Sequence, residues 1–320
     1  MDARKYSVRV IYKAMNIFIT GSTGFVGSHL KEYLFKNYSY SLFTPSSQEL
    51  DLSDEKVVDK YMLENAIDII VHTANRGGGR DTADMKSVTE YNLRIFFNIA
   101  KHENNVKKII SFGSGAEYGK HKPIINVKED DYLEALPMDE YGFYKSVTSH
   151  YIEKSDNIVQ LRIFGAYGEY ENYRYKFISN AIVKNLLHLP ITINKNVYFD
   201  YIYVDDLIRM IDFFIHNDAK EKIYNVTTGM KVDLITLSNL VNEVSDFQSD
   251  IHVINAGLNN EYSSNNERIL KELGDFQFTS HKNAIVKMRH HFQENLDKLD
   301  IQMIKEDPYL KAIDTMWKGK

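Results

Sequence analysis

Two side chains that can exchange protons stand four residues apart near the middle of the chain. Tyr141 and Lys145 are the ends of the pentapeptide YGFYK. Residues at i and i+4 share one face of a helix, so we expect the phenol and the ammonium to lie side by side. An ammonium stabilises a phenolate, which predicts that the tyrosine pKa falls from about 10 towards a range useful for acid/base catalysis. The same spacing also arises by chance on surface helices, and we interpret Tyr144 as a packing aromatic.

A glycine-rich turn lies earlier, in the stretch NIFITGSTGFVGSH from Asn16 to His29. Apolar and β-branched residues run into Gly21, Gly24 and Gly27, and apolar residues at helical spacing follow. This order predicts a buried strand, a tight turn and a helix that opens on glycine, as in a dinucleotide-binding βαβ unit. The first helical turn offers N–H groups and a positive dipole end to phosphates. A glycine turn of an unrelated α/β protein is the alternative.

Strands and helices are predicted to alternate around these residues, which favours an α/β fold with a parallel sheet covered on both faces. Ser53 or Asp54 is expected to cap the second helix. After residue 226 the sequence predicts mostly helix, with polar loops at 255–266. The predicted strands are 17–20, 40–44, 67–72, 108–112, 158–164, a pair within 191–204, and 222–226. The predicted helices after the first one are 55–65, 84–103, 141–155, 175–187 and 205–215.

Composition excludes several classes of function. The 320 residues include no cysteine and carry a net charge of −5, with 43% hydrophobic and 26% charged residues. Disulfides and thiolate nucleophiles are therefore excluded, and no histidine shows metal-ligand spacing, so we predict no metal. The negative charge argues against nucleic acid or an anionic membrane as a partner. No apolar run approaches the roughly 18 residues that span a bilayer, and the basic N-terminal segment makes a poor signal peptide, so we expect a cytoplasmic protein.

A third candidate group follows the strand at 108–112, in the stretch GSGAEYG that contains Ser114. The loop TGSTGFVG, this serine and the pair Tyr141 and Lys145 together make the chain resemble the extended short-chain dehydrogenase/reductase superfamily. Within that superfamily, the chain resembles the NAD(P)-dependent nucleotide-sugar epimerase/dehydratase/reductase branch. The stretches HTA, LRIFGAYG and DYIYVDDL also match, and the resemblance covers roughly residues 15–300. It implies a Rossmann-type doubly wound parallel sheet with a smaller mixed α/β C-terminal substrate domain.

The resemblance also implies a mechanism, hydride transfer between a nicotinamide and a sugar carbon. Tyr141 would donate or accept the proton on the sugar oxygen, Ser114 would hydrogen-bond that oxygen, and Lys145 would also hold the nicotinamide ribose. The implied cofactor-binding residues are Gly21, Ser22, Thr23, Gly24, Phe25, Val26, Gly27, Ser46, Ser47, Asp51, Leu52, Thr73, Ala74, Asn92, Lys145 and Phe164. The implied partner is a nucleotide-sugar substrate, within the synthesis of a surface polysaccharide.

Cofactor choice depends on the end of the second strand. An NAD enzyme usually places a carboxylate there for the ribose 2′-hydroxyl, which repels a 2′-phosphate. The stretch from Phe43 to Ser47 has no acid before Glu49, and Ser46 and Ser47 are available to a phosphate. We therefore favour NADP(H), with NAD(H) as the alternative.

Departures from the family narrow the reaction. The 4,6-dehydratases carry an Asp-Glu pair where this chain has Gly115 and Ala116, and decarboxylases need Glu at the place of Ala116, whereas Glu117 is one place further on. The cysteine and histidine of enzymes that epimerise C3 and C5 are absent. Reduction of a 4-keto-(6-deoxy) sugar nucleotide remains, with C4 epimerisation on tightly bound NAD as the main alternative. A catalytically silent NAD(P)-binding sensor is a further alternative, which the intact Ser114, Tyr141 and Lys145 oppose.

Substrate contacts are less clearly marked. Phe199 replaces the arginine that the family usually places before Asp200. Arg76, Ser114, Asn172 and Arg174 are the candidate substrate-binding residues, since arginine binds diphosphate bidentately. Arg80 is a further candidate, and a solvated loop arginine is the alternative in each case.

The predicted domain organisation has three parts. Residues 1–14 are expected to be a disordered extension or, if Met15 is the true start, a misannotated one. The cofactor domain covers 15–170 with a later contribution from about 195–225, and the substrate domain covers 171–194 and 226–320. The resemblance also implies a homodimer through the helices near 84–103 and 141–155.

Overall fold

The chain alternates strands and helices from Asn16 onward. The computed structural model describes residues 14–82, 85–134 and 136–312, so the predicted extension lies almost wholly outside the described residues. The strands are β1 (Asn16–Thr20), β2 (Ser41–Phe43), β3 (Ile69–His72), β4 (Lys108–Ser114), β5 (Ile124–Val127), β6 (Ile158–Ile163), β7 (Gly165–Tyr167), β8 (Ile191–Asn196), β9 (Tyr198–Tyr203), β10 (Ile223–Val226), β11 (Lys231–Asp233), β12 (Ile251–Leu258) and β13 (Tyr262–Ser264). The helices are α1 (Phe25–Asn37), α2 (Glu55–Glu64), α3 (Val88–Ala100), α4 (Glu140–Ile152), α5 (Phe177–Leu186), α6 (Val204–His216), α7 (Leu234–Glu243), α8 (Glu267–Leu273), α9 (His281–Glu294) and α10 (Ile301–Lys305).

Six strands form the central sheet in the order β2-β1-β3-β4-β6-β10, and all neighbours are parallel. Alternate residues of β1 point to opposite faces, so Ile17 and Ile19 enter one apolar core while Phe18 enters another. Helices α1 and α6 contribute to the first core, and α2, α3 and α4 contribute to the second. Burial on both faces explains the continuous apolar runs of these strands. The predicted α/β fold with a parallel sheet is confirmed.

The C-terminal third contains more strand than the sequence predicts. The stretch 255–266, predicted as polar loops, contains the end of β12 and all of β13. Strand β12 pairs with β8 and exposes seven consecutive residues, so it lacks the apolar alternation by which strands are recognised. Strand β13 has three residues and lies between β9 and β5 in a second sheet. These strands pair with partners that are distant in sequence, so local sequence patterns do not reveal them. The predicted domain boundaries stay a prediction. Among the described residues, no helix is long and apolar enough to cross a bilayer.

The N-terminus of α2 gives a direct test of the predicted cap. The Asp54 carboxylate accepts from the backbone N–H groups of Lys56 and Val57, whereas Ser53 bonds Asp51 instead. Asp54→Ala is therefore expected to lower the free energy of unfolding by about 1 kcal/mol, because an N-cap acceptor is lost. Urea denaturation measures the change, with Ser53→Ala as the matched control. A larger loss in the control would assign the cap to Ser53.

Candidate active site

The turn between β1 and α1 has space only for glycine. Gly21 has φ +66°, and a Cβ there would lie 2.8 Å from the Ala74 backbone. A Cβ on Gly27 would lie 2.2 Å from the Gly21 carbonyl oxygen, so α1 packs directly on the turn. Gly24 precedes α1, whose first turn has neither a side-chain cap nor an acidic residue. These open N–H groups fit an anion such as the pyrophosphate of a dinucleotide.

The carboxyl ends of β1 and β3 are joined by side chains beside this turn. The Thr73 hydroxyl donates to the Thr20 carbonyl oxygen at 2.7 Å, and the Ala74 N–H donates to the Thr20 hydroxyl at 3.2 Å. The Thr20 hydroxyl also bonds Nδ1 of His72 at 2.9 Å. Burial lowers the pKa of His72 to about 3, so its ring is neutral. Thr73 and Ala74 thus lie against the glycine turn, as the predicted cofactor contacts require.

The loop after β2 brings a carboxylate to the predicted phosphate contacts. The Ser22 hydroxyl donates to the Thr44 carbonyl oxygen at 3.3 Å, which joins the glycine turn to β2. The Ser46 N–H donates to Oε2 of Glu49 at 2.7 Å, and this backbone hydrogen bond lowers the pKa of Glu49. An ionised carboxylate therefore lies at Ser46, next to Ser47. The sequence-based preference for NADP(H) rests on the stretch from Phe43 to Ser47, which does not include Glu49.

The remaining predicted cofactor residues have local partners in this structure. Asp51 accepts from Ser53, and Leu52 packs against the second core. The buried Asn92 side chain accepts a hydrogen bond from the Arg76 N–H and donates one to the Arg76 carbonyl oxygen, each at 2.8 Å. Asn92 thus positions the loop after β3, and its direct contact with a cofactor stays a prediction, as do those of Asp51, Leu52 and Phe164.

The structure brings the three predicted catalytic residues together. Ser114 ends β4, and its hydroxyl lies next to Tyr141, which is in the first turn of α4. A Cβ on Gly142 would lie 2.7 Å from the Ala116 carbonyl oxygen, so α4 packs closely on the turn that follows Ser114. The Lys145 ammonium lies 5.8 Å from the centroid of the Tyr141 ring.

The prediction that Lys145 lowers the pKa of Tyr141 is wrong in this structure. Burial raises the pKa of Tyr141 to about 12, and the hydrogen bond from Ser114 opposes that rise only in part. Burial also lowers the pKa of Lys145 to about 8, against the effect of Glu117. The Lys145 ammonium donates to the Phe112 carbonyl oxygen rather than to the phenol. Tyr141 is therefore held as a protonated phenol, the form that donates a proton.

A buried ion pair supports Ser114 from below. Nε of Arg162 lies 2.7 Å from Oε2 of Glu117, and both side chains are 0% exposed. Oε1 of Glu117 accepts the Ser114 N–H at 2.7 Å, while Arg162 also donates to the Tyr118 hydroxyl. Neither Glu117 nor Arg162 is among the site residues predicted from the sequence, although the S-x-x-E spacing of a capping box predicts the bond between Glu117 and the Ser114 backbone.

The predicted substrate residues are dispersed. Arg76 is exposed and lies over the Tyr91 ring, at 5.3 Å. Asn172 donates to Asp81, and the Arg174 guanidinium lies 3.6 Å from the Asp300 carboxylate. Their contact with a substrate stays a prediction.

The loop that carries Arg76 and Arg80 nevertheless reaches the catalytic group. A Cβ on Gly78 would lie 2.4 Å from the Tyr141 ring. Arg80 donates to the Tyr175 carbonyl oxygen, which ties the loop to the segment before α5.

Comparison with known proteins agrees with this geometry. The model of the NAD dependent epimerase/dehydratase family matches residues 17–227. The chain belongs to this family. Over 244 residues it is 26% identical to a GDP-L-colitose synthase of Yersinia pseudotuberculosis, a match that covers 68% of this chain and 78% of that protein.

Solved structures of other proteins share this fold. A UDP-glucose 4-epimerase from Thermotoga maritima superposes with a TM-score of 0.76 at 19% identity, over 88% of this chain and 100% of the other. A GDP-mannoheptose C4 reductase from Campylobacter jejuni with NADP bound also gives 0.76 at 19% identity, over 88% and 99%. The names of these two proteins, which share the fold, correspond to the two reactions that the sequence left open.

The ion pair beneath Ser114 predicts a large loss of stability. In Glu117→Gln, the amide N–H₂ must face another donor, either the Arg162 guanidinium or the Ser114 N–H. The change also leaves the buried charge of Arg162 without its carboxylate partner. The free energy of unfolding is expected to fall by about 3–5 kcal/mol, as measured by urea denaturation.

Glu64→Gln is the control, because Glu64 forms an ion pair with Lys60 in which both side chains are largely exposed. That change is expected to cost less than about 1 kcal/mol. Equal losses in the two variants would contradict the structural role of Glu117.

Proposed function

We propose that this protein reduces a 4-keto-(6-deoxy) sugar nucleotide with a nicotinamide cofactor. The observation that carries the proposal is the assembly of Ser114, protonated Tyr141 and Lys145 at the same edge of the sheet as an open glycine turn. Gly115 and Ala116 contribute no acid or base to this group. Glu117, the nearest carboxylate along the chain, is fully buried against Arg162 and is not available for elimination or decarboxylation.

Each catalytic residue has one task in this reaction. When bound, a reduced nicotinamide supplies the hydride that adds to the carbonyl carbon. Tyr141 donates its proton to the carbonyl oxygen as the C=O bond becomes an alcohol, and Ser114 donates a hydrogen bond to the same oxygen. Lys145, held in place by the Phe112 carbonyl, supplies positive charge beside the phenolate that remains.

Epimerisation at C4 with tightly held NAD is the second candidate. The ionised Glu49 favours it, because a carboxylate near the adenosine ribose opposes a 2′-phosphate. We nevertheless retain NADP(H) as the proposed cofactor, since Ser46 and Ser47 offer two hydroxyl groups there. The reductase from Campylobacter jejuni that shares this fold has NADP bound. A homodimer through α3 and α4 is also part of the proposal.

Glu49 gives a test of the cofactor. Glu49→Gln removes the negative charge at Ser46 and is expected to raise kcat/KM for NADPH by about threefold to tenfold, while kcat/KM for NADH stays the same. Steady-state rates with each cofactor measure the change. A wild-type protein that prefers NADH, with no gain for NADPH in the variant, would contradict the proposed preference.

The reaction is tested by following NADPH oxidation at 340 nm with a panel of 4-keto sugar nucleotides. At least one is expected to be reduced, and Tyr141→Phe is expected to lower kcat/KM about 100-fold or more, because the proton donor is lost. Tyr144→Phe is the matched control on the same helix, since the Tyr144 hydroxyl has no hydrogen-bond partner among the described residues.

Two outcomes would contradict the proposal. NADPH consumption on none of the substrates, together with NAD that survives gel filtration, would favour the C4 epimerase. Full activity of Tyr141→Phe would refute the assignment of Tyr141 as the proton donor.

A further inference from the structure

Tyr262 reaches the catalytic serine from a strand distant in sequence. It lies on β13, which pairs with β5 and β9. Its ring packs against Phe164 and Phe199, with centroid separations of 5.0 and 5.4 Å. Its hydroxyl lies next to Ser114, which lowers the pKa of Tyr262 as it lowers that of Tyr141. Three hydroxyl groups therefore meet at this point, with Ser114 in the middle.

The Tyr262 hydroxyl has room because residue 115 is glycine. A Cβ on Gly115 would lie 2.4 Å from the Tyr262 hydroxyl oxygen and 2.7 Å from the Phe164 ring. The hydroxyl thus occupies the place into which any side chain at position 115 would project. Burial raises the pKa of Tyr262, so this group stays protonated and can donate a hydrogen bond.

The hydrogen-bonding capacity of Ser114 limits what these contacts can be. A serine hydroxyl donates once and accepts twice. The Ala116 N–H already donates to the Ser114 oxygen at 3.2 Å, which uses one acceptor position. If Tyr262 donates to the other, Ser114 has only its own proton left, and that proton must point towards the Tyr141 side of the group.

We propose that Tyr262 is a positioning residue whose hydroxyl donates to Ser114 and thereby commits the Ser114 proton to the carbonyl oxygen of the substrate. The inference rests on the proposed function, because it needs a carbonyl oxygen bound by both Ser114 and Tyr141. It adds a residue of the C-terminal third to the catalytic machinery.

Tyr262→Phe tests the inference because it keeps the ring between Phe164 and Phe199 and removes the hydroxyl alone. With an active 4-keto sugar nucleotide, kcat is expected to fall about fivefold to tenfold, the effect of one hydrogen bond that acts in the transition state. The KM for the sugar nucleotide and the Kd for NADPH are expected to stay the same. Tyr144→Phe is the control and is expected to keep kcat within twofold.

Gly115→Ala gives a second, independent route to the same defect. Its methyl group displaces the Tyr262 hydroxyl, so kcat is expected to fall as in Tyr262→Phe. The kcat of the double variant is expected to be no lower than that of the less active single variant, because both changes remove the same hydrogen bond. Circular dichroism and NADPH binding show whether each variant is folded.

The outcomes separate this inference from the function on which it rests. An active wild type with an unchanged Tyr262→Phe would overturn the role of Tyr262 and leave the reductase intact. A rise in KM without a fall in kcat, or equal losses in Tyr262→Phe and Tyr144→Phe, would overturn it as well. If the wild type reduces no keto sugar nucleotide, the proposed function fails and this inference fails with it.

Discussion

The buried ion pair between Glu117 and Arg162 holds the catalytic half of the site in place. Removing two charges from water costs several kcal/mol for each ion, so such a pair persists only where further hydrogen bonds satisfy both groups. Here the Ser114 N–H and the Ser149 hydroxyl complete the shell of the carboxylate. Because these partners come from β4, α4 and β6, the pair binds three elements together. The carboxylate that neutralises Arg162 is the one that fixes the backbone of Ser114.

The parallel sheet brings the cofactor half to the same edge. The glycine turn follows β1, Thr73 follows β3 and Ser114 ends β4. The carboxyl ends of neighbouring parallel strands meet at one edge of the sheet. The two halves are also linked electrostatically, because the Lys145 ammonium contributes to the low pKa of His72, which bonds Thr20 beside the glycine turn. A change in the protonation of Lys145 would therefore change the pKa of His72, which bonds Thr20 at the end of β1.

Features set by local sequence could be predicted, and features set by tertiary burial could not. The strands of the central sheet and a cap of α2 at Ser53 or Asp54 follow from short-range patterns, and the structure has both, with Asp54 as the cap. The family resemblance, rather than a local pattern, implied that Ser114 and Tyr141 lie together. Tyr262 escaped notice because β13 is a three-residue strand in a polar segment, whose pairing depends on distant strands. The pKa of Tyr141 was predicted in the wrong direction, because the spacing of a tyrosine and a lysine does not reveal how deeply the fold buries them.

That burial bears on the direction of the chemistry. The first step of C4 epimerisation oxidises an alcohol, which requires Tyr141 to take a proton as a phenolate. Carbonyl reduction requires the opposite, a phenol that gives its proton to the new alkoxide. A pKa of about 12 disfavours the phenolate at neutral pH, and Glu117, committed to Arg162, is not free to accept a proton instead. With no nicotinamide bound, the groups around Ser114 thus hold Tyr141 as a phenol, and this supports the proposed reduction.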